Sequence, residues 1–232
     1  MASRFYFPAE GSGAPAVSPS FDAGWEQTGQ ATRLKLLYKN NLSTLSTIAN
    51  NGTRTVPITT TQDILCNQFV SDPLFGAAKL IDASVTFSFV MRCFESATTA
   101  NVFLAVVAKI VSNDGATSRG TLFSTFNTDT EWALSGSAAT RIVAQTAVTA
   151  VTAQAGDRLV IEVGGHAAAP TAATSYTMRQ GTSAASDFAL TSALTTDLNP
   201  WCELSAGIFP PIPNNYQAIG VADGMSTGER TR

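Results

Sequence analysis

Between residues 81 and 93 the chain reads IDASVTFSFVMRC. Ile81, Ala83, Val85, Phe87, Phe89, Met91 and Cys93 share one parity, while Asp82, Ser84, Thr86, Ser88 and Arg92 share the other, with Val90 as the apolar intruder. A period of two sends successive side chains to opposite faces, so this stretch is predicted as a long, half-buried β-strand. The next run, NVFLAVVAKIVS at 101–112, is apolar almost throughout. Asp114-Gly115 then supplies a reversal and RGTLFSTF resumes, which predicts two antiparallel strands joined by a tight turn.

Further strand-like segments are RLKLLY (33–38), TRTVPI (53–58, behind an Asn51-Gly52 turn signal), DILCNQFV (63–70), RIVAQTAVTAV (141–151), RLVIEV (158–163), SYTMRQG (175–181) and PWCELS (200–205). Gly, Asn, Asp and Ser fill most of the gaps. This spacing, without a long 3.6-residue period, predicts an all-β fold: an antiparallel β-sandwich, jelly-roll-like, spanning residues 31–205. A helix remains an alternative at SDFALTSALTTDL (186–198), where Phe188, Leu190, Leu194 and Leu198 fall near helical spacing behind Ser186 or Asp187 as caps, although the Ser and Thr content opposes it.

The two ends read differently. Residues 1–30 are rich in Pro, Gly and Ser without periodicity, yet Phe5, Tyr6, Phe7, Phe21 and Trp25 are interleaved, which a flexible linker would lack. Residues 206–232 carry Pro210, Pro211 and Pro213, which enforce extended backbone, beside Ile208, Phe209, Ile212, Tyr216 and Ile219. Both ends are expected to be extended arms that dock through these apolar anchors, either on a neighbouring protein or back over their own domain.

Charged residues are 13% of the 232-residue chain, about half the roughly 25% usual in soluble domains. A surface of small neutral side chains costs little to desolvate, which favours a component of an assembly. The net charge of -3 and the scattered placement of ten arginines and four lysines provide no electrostatic footprint for nucleic acid. No stretch approaches the ~18 apolar residues of a membrane span. The N-terminus lacks the apolar segment of a secretory leader, so a soluble, cytoplasmically made chain is expected. Cys66, Cys93 and Cys202 are odd in number and lack metal-ligand spacing. They read as free thiols packed as small hydrophobes.

Candidate chemistry is sparse. AGDRLVIEVGGH (155–166) holds the one histidine, His166. It reads as Gly156-Asp157 turning the chain, Leu159, Ile161 and Val163 forming one strand face, and Gly164-Gly165 releasing the chain into a loop at His166. Glu162 is expected to point outward or lie at an edge with a cross-strand partner. No nucleophile elbow, phosphate loop or calcium loop surrounds any candidate, so neither a catalytic residue, a metal nor a cofactor is expected. Trp201 is expected to be buried, whereas Trp132, in a loop-like stretch after Asp129 and Glu131, is the better candidate for a carbohydrate platform.

The segments TVPITTTQDILCNQFVSDPL (55–74), VVAKIVSNDGATSRGTLFS (106–124), AGDRLVIEVGGHAAAPTAAT (155–174) and SDFALTSALTTDLNPWCELS (186–205) resemble small β-sandwich virion structural proteins of tailed bacteriophages and prophages. The resemblance covers about residues 20–205 and lies in strand and turn phrasing, with no catalytic motif. It implies a non-enzymatic virion protein assembled in the reducing bacterial cytoplasm, which agrees with unpaired cysteines. A capsid decoration or cement protein is the expected role, bound to the major capsid protein or other virion proteins and to copies of itself, with a trimer suiting local threefold positions. A tail, neck or fibre module that binds receptor or carbohydrate is the alternative.

Overall fold

A computed structural model of the chain describes residues 2–9, 16–38, 49–57, 60–128, 130–181, 186–191 and 195–208. Among them the fold is all-β. In chain order the strands are β1 (Ser3–Tyr6), β2 (Thr32–Lys35), β3 (Leu37–Tyr38), β4 (Ala49–Val56), β5 (Gln62–Val70), β6 (Lys79–Ile81), β7 (Thr86–Glu95), β8 (Val102–Val111), β9 (Ser118–Thr125), β10 (Ala139–Ala147), β11 (Val151–Ala153), β12 (Arg158–Ala167), β13 (Thr174–Gln180) and β14 (Trp201–Leu204).

They form a sandwich. One sheet of five strands has the order β2-β5-β12-β8-β9, with β2 parallel to β5 and the remaining pairs antiparallel. The other, of seven strands, is organised on β7: β10 lies along one edge of it, while β14 and β13 share the opposite edge end to end and lead to β1-β3 and β4 respectively. A small β6–β11 ribbon closes one end.

The alternation along β7 builds the core directly. Phe87, Phe89, Met91 and Cys93 are fully buried between the sheets with Leu104, Val106, Ala108 and Ile110 of β8 and Leu159, Ile161 and Val163 of β12. Val90 breaks the pattern because the outer face of β7 is also covered: it packs with Tyr6, Phe188 and Trp201.

At several places the structure departs from what the sequence predicts. The N-terminal residues are not a separate arm, since β1 pairs with both β14 and β3 inside the seven-stranded sheet. Asn51-Gly52 is not a turn; both residues lie within β4, and a Cβ on Gly52 would come within 2.5 Å of Cys66 Sγ. The 186–198 stretch has no helix among its described residues, and Asp187 and Asn199 instead form a β-bridge.

Gly164, Gly165 and His166 do not begin a loop: β12 continues to Ala167. The glycines are needed for close approach, because a Cβ on Gly164 would sit 2.1 Å from the Ile64 carbonyl oxygen. Opposite them the register slips, with Val163 facing Asn67 and Gly164 facing Leu65, so Cys66 is an extra residue in β5. This bulge switches the inward parity of β5 from Ile64 and Cys66 to Phe69.

Candidate functional site

The outer face of the five-stranded sheet is crossed by residues 16–31, which run as an extended strap. Trp25 packs there on Leu65, Ala105 and Val107, and Val17 on Val70, Val111 and Val160. At its centre stands Glu162, fully buried and ion-paired to Lys109 at 2.7 Å. Its carboxylate also accepts from Trp25 Nε1 (2.7 Å), Gln68 Nε2 (2.8 Å) and the Asp22 backbone N–H (2.9 Å). Lys109 Nζ donates onward to the Ser20 carbonyl at 2.6 Å, and Gln68 Nε2 to those of Pro19 and Ser20. A buried charge is tolerated when paired and fully hydrogen-bonded, so this cluster fixes where the strap crosses the sheet.

The seven-stranded sheet has a matching cover. Residues 186–191 and 195–199 lie over its outer face, with Phe188 and Leu198 packed against Tyr6, Val90 and Trp201. Carboxylates again hold the cover. Asp187 accepts from Arg4 (2.9 Å) and from the Tyr6 hydroxyl (2.7 Å), and Asp197 pairs with Arg92 and Arg179. Burial, aided by the neighbouring Asp187, pushes the Tyr6 phenol up to about 12. Arg4 also stacks over Trp201, 3.9 Å from the ring centroid.

His166 lies on β12 with Nδ1 2.7 Å from Asp63 Oδ1, tying β12 to β5. Burial pushes the Asp63 carboxyl upward, against the lowering influence of His166. Glu95, almost fully buried, accepts the Val102 backbone N–H at 3.2 Å. Burial raises its carboxyl to about 7, opposed by that hydrogen bond and reinforced by Glu131. Because its folded value exceeds its ordinary one, Glu95 costs nothing below about pH 4.5, and its penalty grows as the pH rises towards 7. Stability should therefore fall by on the order of 2 kcal/mol across that window. In Glu95→Gln that part of the slope should vanish, as read from urea midpoints between pH 4 and 8. The cysteine thiols are all buried, and burial pushes that of Cys66 up to about 12.

The anchors expected to meet a partner are mostly spent inside the chain's own fold. Phe5 and Phe7 lie in the main core, where the Phe7 ring is 4.8 Å from that of Phe69. Tyr6, Trp25 and Ile208 are buried, and Phe21 is half-buried beneath Arg33. They are corrected from interface residues to packing residues. Phe209, Ile212 and Tyr216 lie outside the described residues.

Trp132 is corrected too. It is 2% exposed, with its ring edge-on to Tyr176 at 5.1 Å, and cannot offer a face to a sugar. Glu162 does lie on the outer face of its sheet with cross-strand partners, Gln68 and Lys109, but the strap buries it completely. Nothing in the sequence signals the roles of Gln68 and Asp197, and Asp187 is offered there only as a helix cap; Lys109 carries a signal as the one charge in the apolar run 101–112.

No family model and no curated protein sequence matches the chain. Among solved structures it is similar to a CocE/NonD family hydrolase from Staphylococcus aureus, at 7% identity and a TM-score of 0.45, over 89% of this chain and 36% of that one. It is also similar to the infectious bursal disease virus VP2 subviral particle, at 13% identity and a TM-score of 0.22, over 68% of this chain and 38% of that one. The chain thus spans well under half the length of either protein.

Proposed function

We propose that this chain is a non-enzymatic structural protein of a bacteriophage virion, a decoration or cement protein that binds and stabilises the capsid shell. The observation that carries the reading is the closure of both outer sheet faces by the chain's own straps, one anchored on the buried Glu162 and the other on the half-buried Asp187 and Asp197. Such a sandwich is a preformed block with its large apolar faces already covered. With 13% charged residues it offers a neutral exterior that is inexpensive to bury against a shell. The resemblance of its strand and turn phrasing to virion proteins of tailed phages points the same way. The segment 209–232, rich in proline and apolar anchors, lies outside the described residues.

The test is binding of the purified full chain to particles of the encoding phage or prophage that lack it. Saturable binding, together with a higher temperature of particle disruption, supports the reading. No cosedimentation and an unchanged disruption temperature contradict it. Deleting residues 1–25 is not a usable variant, because it removes β1 and most of the strap, so lost binding would report unfolding.

A further inference from the structure

With both faces covered, the side of the sandwich between β9 and β10 stands apart. Among the described residues each of these strands pairs along one edge only, β9 with β8 and β10 with β7. Between them runs a groove of about 420 Å³. Its apolar part is Phe123, Ile142 and Val143; Asn127, Thr128 and Thr146 supply hydrogen-bonding groups, and among the described residues no charged one lines it. The edge of β10 is unprotected by charge, since residues 142–150 contain neither Asp, Glu, Lys, Arg nor Pro. A register shift between Val143 and Thr146 leaves Ala144 exposed at the groove wall.

We propose that this groove binds residues 209–216 (FPPIPNNY) of a second copy of the chain, linking neighbouring subunits. The inference rests on the assembly role proposed above and names a contact within it.

Three observations favour this occupant. The segment is as uncharged as the groove. Its three prolines, Pro210, Pro211 and Pro213, favour an extended polyproline conformation, which docks on aromatic-lined grooves at low entropic cost and needs no regular strand ladder from an irregular edge. Finally, the described residues end beside β1. Lys79 donates to the Gly207 carbonyl, and Ile208 N donates to Ser3 Oγ on β1, across β14 and β7 from β10. That point is about three strand spacings, ~14 Å, from the chain's own groove, further than the single residue step from Ile208 to Phe209 can span.

The experiment uses the full chain, a synthetic peptide of residues 209–216, and the variants Ala144→Arg and Thr146→Arg, whose positions are exposed. The expected results are concentration-dependent association in sedimentation equilibrium, competition by the peptide, and an affinity weakened about tenfold or more by either arginine. Slowed amide exchange in residues 123–128 and 142–146 on peptide addition should accompany them.

A chain that stays monomeric with unchanged exchange overturns the inference, as does association that both arginines leave intact. Concentration-independent protection of 142–146, unaffected by peptide, places the segment in its own groove and also overturns it. Particle binding that survives these failures leaves the decoration role standing without this contact.

Discussion

Alanine at position 162 is expected to lower the unfolding free energy by about 3–5 kcal/mol, the usual penalty for stranding one partner of a buried ion pair. Lys109 would keep its buried ammonium with the Ser20 carbonyl as its remaining partner. Trp25 Nε1 and the Asp22 N–H would lose their acceptor. The loss should be local in its first consequence: amide exchange across residues 16–31 should rise before the core strands open. A double variant, Glu162→Leu with Lys109→Met, removes both charges and should recover much of the stability, because buried ion pairs replaced together by apolar residues of similar size are often neutral. Urea denaturation of the two variants measures this directly. A change below about 1 kcal/mol in Glu162→Ala would mean that the carboxylate does not hold the strap.

Truncating Trp132 to alanine should cost about 3–5 kcal/mol, as expected for a large aromatic removed from a close-packed interior. The ring sits against Tyr176, whose hydroxyl donates to the Ile64 carbonyl at 2.6 Å, so the cavity opens beside a contact that joins the two sheets. Trp132→Phe should retain most of the stability, since the indole N–H has no partner among the described residues. Thermal unfolding of both variants checks the ranking. Any loss of ligand binding in Trp132→Ala has to be read against this destabilisation, and a fully stable alanine variant would contradict the burial of the ring.

How much of this was visible in the sequence depends on which force set each element. The parity of 81–93 reported the core face of β7 correctly because one side of that strand meets the opposite sheet. Leu159, Ile161 and Val163 were assigned to one face for the same reason. Val90 looked like an error in the pattern but marked the second cover, which no local period can reveal. Gly164 and Gly165 read as a strand end because glycine usually weakens strands. Here contact with Ile64, Val102 and Tyr176 from other strands decides the residue type.

The polar centre was the hardest part to read. Glu162 and Lys109 sit on different strands, and Gln68 and Trp25 on a third strand and on the strap, so their meeting depends on sheet order. Aromatic interleaving in residues 1–30 did show that the segment docks. Whether it docked on a neighbour or on its own domain was a tertiary question, and the alternation between Phe5, Phe7 and Tyr6 is resolved only by β1 lying between β14 and β3.

The most direct test of the proposed role is imaging of the intact particle of the encoding phage or prophage at a resolution that separates strands. The account predicts density for the two-sheet sandwich, with both straps in place, repeated at regular positions on the outside of the capsid shell. Particles whose shells carry no such density, or that hold the chain only at the tail tip, would contradict it.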